Sequence, residues 1–222
     1  MDNIENKKVA LIGATGFVGS HILDELLQRG YEVTAIARDV SGLKNKPHVL
    51  AVQMDVQEST ALGSALNGNE AIISAYNAGW TNPNIYEDYM KGSRHILKEI
   101  KESGVNRVIV VGGAGSLLTA EDTRIVDGKD FPKEIKPGAL AAADFYELIS
   151  REGDLDWTFF SPALEMNPKS GGSRTGSYRT GTDYPIFDTE GHSRISVQDA
   201  AVAIVDELEN KKFIKRRFTA GY

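Results

Sequence analysis

Apolar residues along this chain fall into two alternating rhythms. Short, nearly unbroken apolar runs rich in branched side chains occur at 8–12, 32–38, 48–56, 71–75, 107–111 and 156–160. Runs of that length and composition predict strands covered on both faces. Between them the apolar positions recur at helical spacing. Ile22, Leu23, Leu26 and Leu27 form one stripe ending at Gly30, and Ala61, Leu62, Ala65 and Leu66 form a second between a Ser59 cap and Gly68. Tyr89, Ile96, Leu97 and Ile100 predict a long helix over 85–103, and a further helix is expected over 140–151. Ser196-Val197-Gln198-Asp199 reads as a capping box opening a last helix, whose buried face is Val197, Ala200, Ala201, Ile204, Val205 and Leu208.

Strands alternating with helices predict a parallel α/β sheet with right-handed crossovers. Six such strands suit a doubly wound, Rossmann-type order 3-2-1-4-5-6, with a possible extra edge strand at 216–220. Two stretches break the rhythm. Residues 117–138 are irregular and carry two prolines, and 167–183 is rich in Gly, Ser, Thr and Arg. The second stretch reads as a loop or as part of a substrate rim. With no long linker, 1–222 is expected to be one domain, with 163–222 a small substrate-side lobe within it.

Composition narrows the chemistry. Among 222 residues there is no cysteine, which removes disulfides, thiolate metal sites and cysteine nucleophiles. His21, His48, His95 and His192 have no metal-ligand spacing, so no metal is expected. The formal net charge of −6 argues against a nucleic-acid partner. The one basic cluster, Lys211, Lys212, Lys215, Arg216 and Arg217, reads as a solvated edge. Residues 1–6 lack the features of a signal peptide, and no apolar run is long enough to span a bilayer. The expected location is the cytoplasm, away from membranes.

The chemistry concentrates in Gly13-Ala14-Thr15-Gly16-Phe17-Val18-Gly19, between the first strand and its helix. Gly13 permits a sharp turn, Gly16 removes a side chain where main chain must approach a pyrophosphate, and Gly19 lets helix and sheet pack closely. The helix N-terminus then offers free N–H groups and about half a positive charge to the phosphates. Gly13, Thr15, Gly16, Phe17, Val18 and Gly19 are therefore expected cofactor contacts. The end of the second strand selects between the two nicotinamide dinucleotides. An acid there binds a ribose 2′-hydroxyl, whereas an arginine pairs with a 2′-phosphate. The strand ends Ala37-Arg38-Asp39, with Lys44 and Lys46 following, so NADP is expected through Arg38. NAD is the alternative, should Asp39 face the ribose. Ala75 and Tyr76, after the fourth strand, would lie along the cofactor near the strand-order reversal.

Gly-Ala-Thr-Gly-Phe-Val-Gly resembles the signature of the extended and atypical short-chain dehydrogenase/reductases. The chain as a whole resembles the atypical members, in particular the NmrA-like and the flavin-reductase or biliverdin-reductase-B-like groups. The resemblance covers 8–162 in motif order and extends loosely to 194–200. It implies that Asp55 accepts from the adenine amino group, that the Val56 main chain meets the ring, and that Pro162 and Ala163 line the cofactor. It also places Ser116 beside the nicotinamide, as the candidate catalytic residue orienting cofactor or substrate.

Classical and extended members use a Tyr-x-x-x-Lys pair as proton shuttle. None of the eight tyrosines has that lysine; by segment order the pair would fall near Lys136 and Leu140. The resemblance thus implies an NADPH-dependent oxidoreductase passing hydride to a small-molecule flavin or quinone, with Tyr76, Trp80 and Tyr178 as stacking candidates. Two alternatives stand beside it: a non-catalytic NADP-binding redox sensor acting on a protein partner, and a sugar-nucleotide epimerase or dehydratase.

Overall fold

The computed structural model describes residues 7–222; the signal-peptide reading falls on residues 1–6, outside the described part. Eight strands form a single sheet in the order β3-β2-β1-β4-β5-β6-β8-β7. They are β1 (Lys8–Ile12), β2 (Glu32–Ala37), β3 (Val49–Gln53), β4 (Ala71–Ser74), β5 (Arg107–Val111), β6 (Asp156–Phe160), β7 (Arg179–Gly181) and β8 (Arg216–Gly221). All neighbours pair in parallel except β7 and β8, which are antiparallel. The doubly wound order 3-2-1-4-5-6 is therefore present. The extra strand near residue 216 also exists, but it is not the edge: β8 lies between β6 and β7.

Period-two alternation divides the apolar strands between two cores. Val9, Leu11, Val33, Ile73, Ile109 and Phe160 face α1 (Phe17–Gln28) and α5 (Val197–Asn210). Ala10, Ile12, Ile36, Ile72, Val108 and Phe159 face α2 (Leu62–Leu66), α3 (Ile85–Ser103) and α4 (Lys136–Ile149). Each large apolar side chain fully buried this way contributes about 1.5–3 kcal/mol.

Several boundaries differ from expectation for local reasons. Helix α2 begins after Ala61, because Ser59 accepts the Ala61 N–H in a turn of its own (3.2 Å) instead of capping a helix. Helix α4 starts at Lys136, four residues early, since Pro137 is tolerated in a first turn. At α5, Ser196 Oγ accepts the Asp199 N–H (3.0 Å), the first half of a capping box. The second half is missing, because the Asp199 carboxylate accepts from Thr175 and Gly176 N–H groups and from the Thr175 and Tyr222 hydroxyls. Those contacts, with the paired bonds from Arg174 to Glu25, tie residues 174–176 across α1 and α5. The 167–183 stretch is thus docked onto two helices, and its last part is the unforeseen β7. Residues 163–222, expected as a small lobe, supply α5, β7 and β8 to the main sheet and its covering layer.

Candidate functional site

The carboxyl ends of β1, β2, β4, β5 and β6 line one side of the molecule, with the strand-order reversal between β1 and β4. At the centre is the glycine turn. Gly13 has φ +78°, and a side chain there would lie 2.5 Å from the Ala75 carbonyl oxygen. Its N–H and that of Ala14 both donate to the Ile36 carbonyl (2.8 and 3.3 Å), so the turn is fastened to β2. A side chain on Gly19 would meet the Gly13 carbonyl oxygen at 2.0 Å. The protein's own packing thus forbids side chains at Gly13 and Gly19.

Gly16 is different. A Cβ there would meet only the Gly13 carbonyl oxygen, at 3.3 Å. Thr15, Gly16 and Phe17 are exposed, and Gly16 is the N-cap of α1 with no side-chain cap and no acid in the helix's first turn. The orphan N–H groups of that turn are left for an external partner. Val18 packs partly against the α1 core, and Phe17 stands edge-on to His21. The residues therefore fit a dinucleotide: the cradle at Gly16 is one a Cβ would narrow.

Beside the turn, Arg38 is exposed at the end of β2 and has no hydrogen-bond or ion-pair partner among the described residues. Burial raises the pKa of Tyr76, and the Arg38 charge opposes that rise. Asp39 is committed elsewhere. Its Oδ1 accepts the Ser41 N–H (2.9 Å), and that bond holds its carboxyl below the usual range. Lys46 is paired with Asp24 (2.6 Å), so Lys44 is the lysine still near the turn. Asp55 follows β3, one residue beyond Met54, whose N–H donates to the Ala37 carbonyl (2.9 Å). It is exposed and spends Oδ1 on the Gln57 N–H (3.0 Å), while Val56 is buried.

Ala75 continues β4, donating to Ile12 (2.9 Å), and its carbonyl borders Gly13. Tyr76 main chain runs alongside, but its ring does not stack in the groove. The ring packs against Tyr89 at 5.8 Å and fills the space over Gly92. Its hydroxyl donates to the Asp88 carbonyl (2.9 Å) and accepts from Gln57 (2.7 Å), and burial raises its pKa. Tyr178 is likewise engaged: its hydroxyl donates to Asp206, and burial together with that carboxylate pushes the phenol up. Of the three stacking candidates Trp80 alone is open, 59% exposed and resting on Gly138 at the start of α4.

On the far side, Ser116 ends a short 3-10 turn after β5 and is only 2% exposed. Its hydroxyl donates to the Gly113 carbonyl (2.8 Å) and shares a hydrogen bond with Ser161 Oγ (2.9 Å). Both are internal partners, so the hydroxyl props the turn instead of facing the groove. Pro162 and Ala163 are buried after β6. Beyond them a cleft of about 550 Å³ opens among Glu165, Asn167, Lys169, Arg194 and Tyr222.

Arg217 corrects the reading of the basic cluster. Strand alternation turns it inward, where it is 4% exposed, while Arg216 stays outside. Its guanidinium donates to the Ser116 carbonyl and to Asp183, and lies 4.4 Å above the Tyr146 ring. Arg217, Asp183 and Ser161 all escaped the sequence reading. The available signal was Arg217's place between apolar residues in an alternating strand.

A family model described as NAD(P)H-binding matches residues 13–210. The chain belongs to this NAD(P)H-binding family. Its relatives include the uncharacterized protein YwnB of Bacillus subtilis, 37% identical over 214 residues, covering 96% of this chain and 97% of that one. A solved structure from Bacteroides thetaiotaomicron, provisionally assigned as an epimerase, is 44% identical with a TM-score of 0.89 and 98% of each chain covered. Another, SP1627 from Streptococcus pneumoniae, provisionally assigned as an NADH-flavin reductase, is 36% identical with a TM-score of 0.83, covering 97% of this chain and 99% of that one. Cinnamoyl-CoA reductase 1 of Oryza sativa is 29% identical over 126 residues, and the chain spans 37% of its length. The NAD(P)H-binding fold and its atypical short-chain reductase relatives thus agree with the glycine turn. Among the described residues no helix is long and apolar enough to cross a membrane.

Proposed function

We propose that this protein is an NADPH-dependent oxidoreductase that passes hydride to a planar small-molecule acceptor of the flavin or quinone type. The observation that carries it is the pairing of an uncapped α1 N-terminus at Gly16 with an unpartnered Arg38 at the end of β2. The pyrophosphate is held by main-chain N–H groups at residues 17–19, because the Gly16 N–H already donates to the Gly13 carbonyl (3.0 Å). Arg38 takes the 2′-phosphate, since Asp39 is turned into its own Ser41 hydrogen bond. Asp55 and Val56 flank the adenine, and Ala75, Tyr76 main chain, Pro162 and Ala163 line the path to the nicotinamide. When bound, the nicotinamide supplies the hydride. No tyrosine–lysine pair holds a proton here, so the proton that balances the transfer comes from solvent. Ser116 acts as a positioning residue, fixing the turn after β5 through Gly113 and Ser161.

The resemblance of SP1627 in sequence and fold favours a flavin acceptor. A second reading, an NADP-holding redox sensor that reports to a protein partner, is favoured by the inward-facing Ser116 hydroxyl. An epimerase, the provisional assignment of the Bacteroides structure, lacks its proton shuttle in this sequence. Thermal-shift ranking of NADPH, NADH, FMN and FAD, followed by NADPH oxidation with FMN, riboflavin and quinones, separates these readings. The reductase reading expects the largest stabilisation from NADPH and measurable turnover. Tight NADPH binding with no turnover on any acceptor supports the sensor, and no stabilisation by either dinucleotide overturns both.

A further inference from the structure

Arg217 occupies the second position of β8, in register with Phe159 on β6. It therefore shares the face of Phe159 and is carried under the exit of the sheet. A buried guanidinium is costly unless its arms find acceptors. One arm donates to the Ser116 carbonyl and one to the Asp183 carboxylate. The Asp183 carbonyl in turn accepts the Leu118 N–H (2.8 Å). Residues 116–118 are thereby clamped to 183 and to β8 in a closed ring. From the other side, Ser116 Oγ is bonded to Gly113 and Ser161. The turn after β5 is thus gripped by β8, by the exit of β6 and by the chain around Asp183.

The network is not the one stability alone would select. Arg217 Nε and Thr219 Oγ1, both buried and on the same face of β8, have no hydrogen-bond partner among the described residues. A buried polar group without a partner works against folding, so the clamp on the turn is held at a cost in stability.

We propose that Arg217 is the positioning residue of the acceptor side, setting the 113–118 turn at the distance from the nicotinamide that hydride transfer requires. This rests on the reductase reading. It also explains how a site without a tyrosine–lysine pair keeps a fixed geometry: a buried cation shapes the wall without touching the substrate. Asp183 accepts from it and Ser161 holds the same turn from the β6 side, while Gly16 and Arg38 follow β1 and β2, separated from β8 by β4, β5 and β6.

The test compares wild type with Arg217→Gln and Arg217→Lys. Thermal melting, NADPH affinity by fluorescence, single-turnover NADPH oxidation with FMN and menadione, and hydrogen exchange of 113–118 in the NADPH complex are measured for each. The expected result is NADPH affinity within about twofold in all three, with hydride transfer at saturating acceptor slowed on the order of 10- to 100-fold in Arg217→Gln. Arg217→Lys recovers part of that rate, and exchange of 113–118 rises in the order wild type, Lys, Gln. A rate within about twofold of wild type, or NADPH affinity lost in step with the rate, overturns the proposal. If wild type itself turns over no acceptor, the reductase reading fails separately. Hydrogen exchange then decides whether Arg217 holds the turn: unchanged exchange of 113–118 in Arg217→Gln overturns that too.

Discussion

Around the ends of β1, β2 and β3 the groove is walled by main chain close together in sequence: Gly13 to Gly19, Arg38 and Asp55. Past β5 and β6 it is walled by side chains gathered from far apart, with Ser116, Ser161, Asp183 and Arg217 meeting across 101 residues. The first wall carries no buried charge. The second hangs on the buried charge of Arg217; a separate buried pair, Arg107 with Glu207 (2.9 Å), lies at the opposite end of the sheet. The contrast teaches that the glycine-turn side is set by local main chain, and the side past β5 and β6 by side chains far apart in sequence. It also dictates how each region breaks.

The largest effect is expected at the buried pair. Glu207 accepts from Arg107, Thr158 and the Lys212 and Phe213 N–H groups. Glu207→Ala strands the Arg107 charge and should cost about 3–5 kcal/mol in denaturant unfolding. A loss under about 1 kcal/mol would mean that this buried pair adds little to stability. Next come the glycines. Gly13→Ala meets the Ala75 carbonyl in a left-handed backbone and should lower stability by about 2–4 kcal/mol. Gly16→Val should leave the melting temperature nearly unchanged while weakening NADPH binding on the order of tenfold or more. Equal losses of stability from both variants would erase the distinction between a packing glycine and a ligand glycine.

Arg38→Ala is smaller and more selective. Loss of one charge-assisted hydrogen bond, roughly 1.5–3 kcal/mol, weakens NADPH about 10- to 150-fold and spares NADH. Equal losses for the two dinucleotides would reassign the residue to the surface.

How much was legible follows the same division. Sheet order, both cores and the glycine turn were readable because each depends on local pattern: period two, period 3.6, and three glycines between a strand and a helix. The Tyr76 ring was misplaced because its direction is decided by Gly92, a residue sixteen positions away that leaves room for it. Ser116 was singled out by the family resemblance, but its hydroxyl is claimed by Ser161, which no spacing rule connects to it. Arg217 was read with its basic neighbours because composition outweighed the two-residue alternation that buried it. The strand β7 was hidden in a Gly-rich stretch because its three residues have no apolar signature; β8 supplies the pairing.

The two smallest effects test the second region further. Lys211 ends α5 at φ 51°, a conformation suited to glycine. Lys211→Gly should add about 0.5–1 kcal/mol, and a net loss would mean the lysine side chain holds the α5 terminus. Asp188, bounding the cleft beyond β6, has its carboxyl lowered from 3.8 to about 2, first by the His192 N–H and then by Arg194. A lowered folded-state pKa gives stability that is complete above the unfolded value and lost as pH falls from about 4 towards 2. Asp188→Asn should therefore flatten stability across that window and leave neutral pH behaviour alone. An unaltered acid profile would count against that carboxylate.

The position of β7 has a kinetic corollary. This strand is translated before β8, yet β8 is its partner in the sheet, so it must wait for a segment made later. Five parallel strands and the glycine turn are complete by residue 111, but the core beneath α1 is covered only once α5 has been made. The turn after β5 is therefore clamped last, only when β8 fills the interior place between β6 and β7 and brings Arg217 to the Ser116 carbonyl.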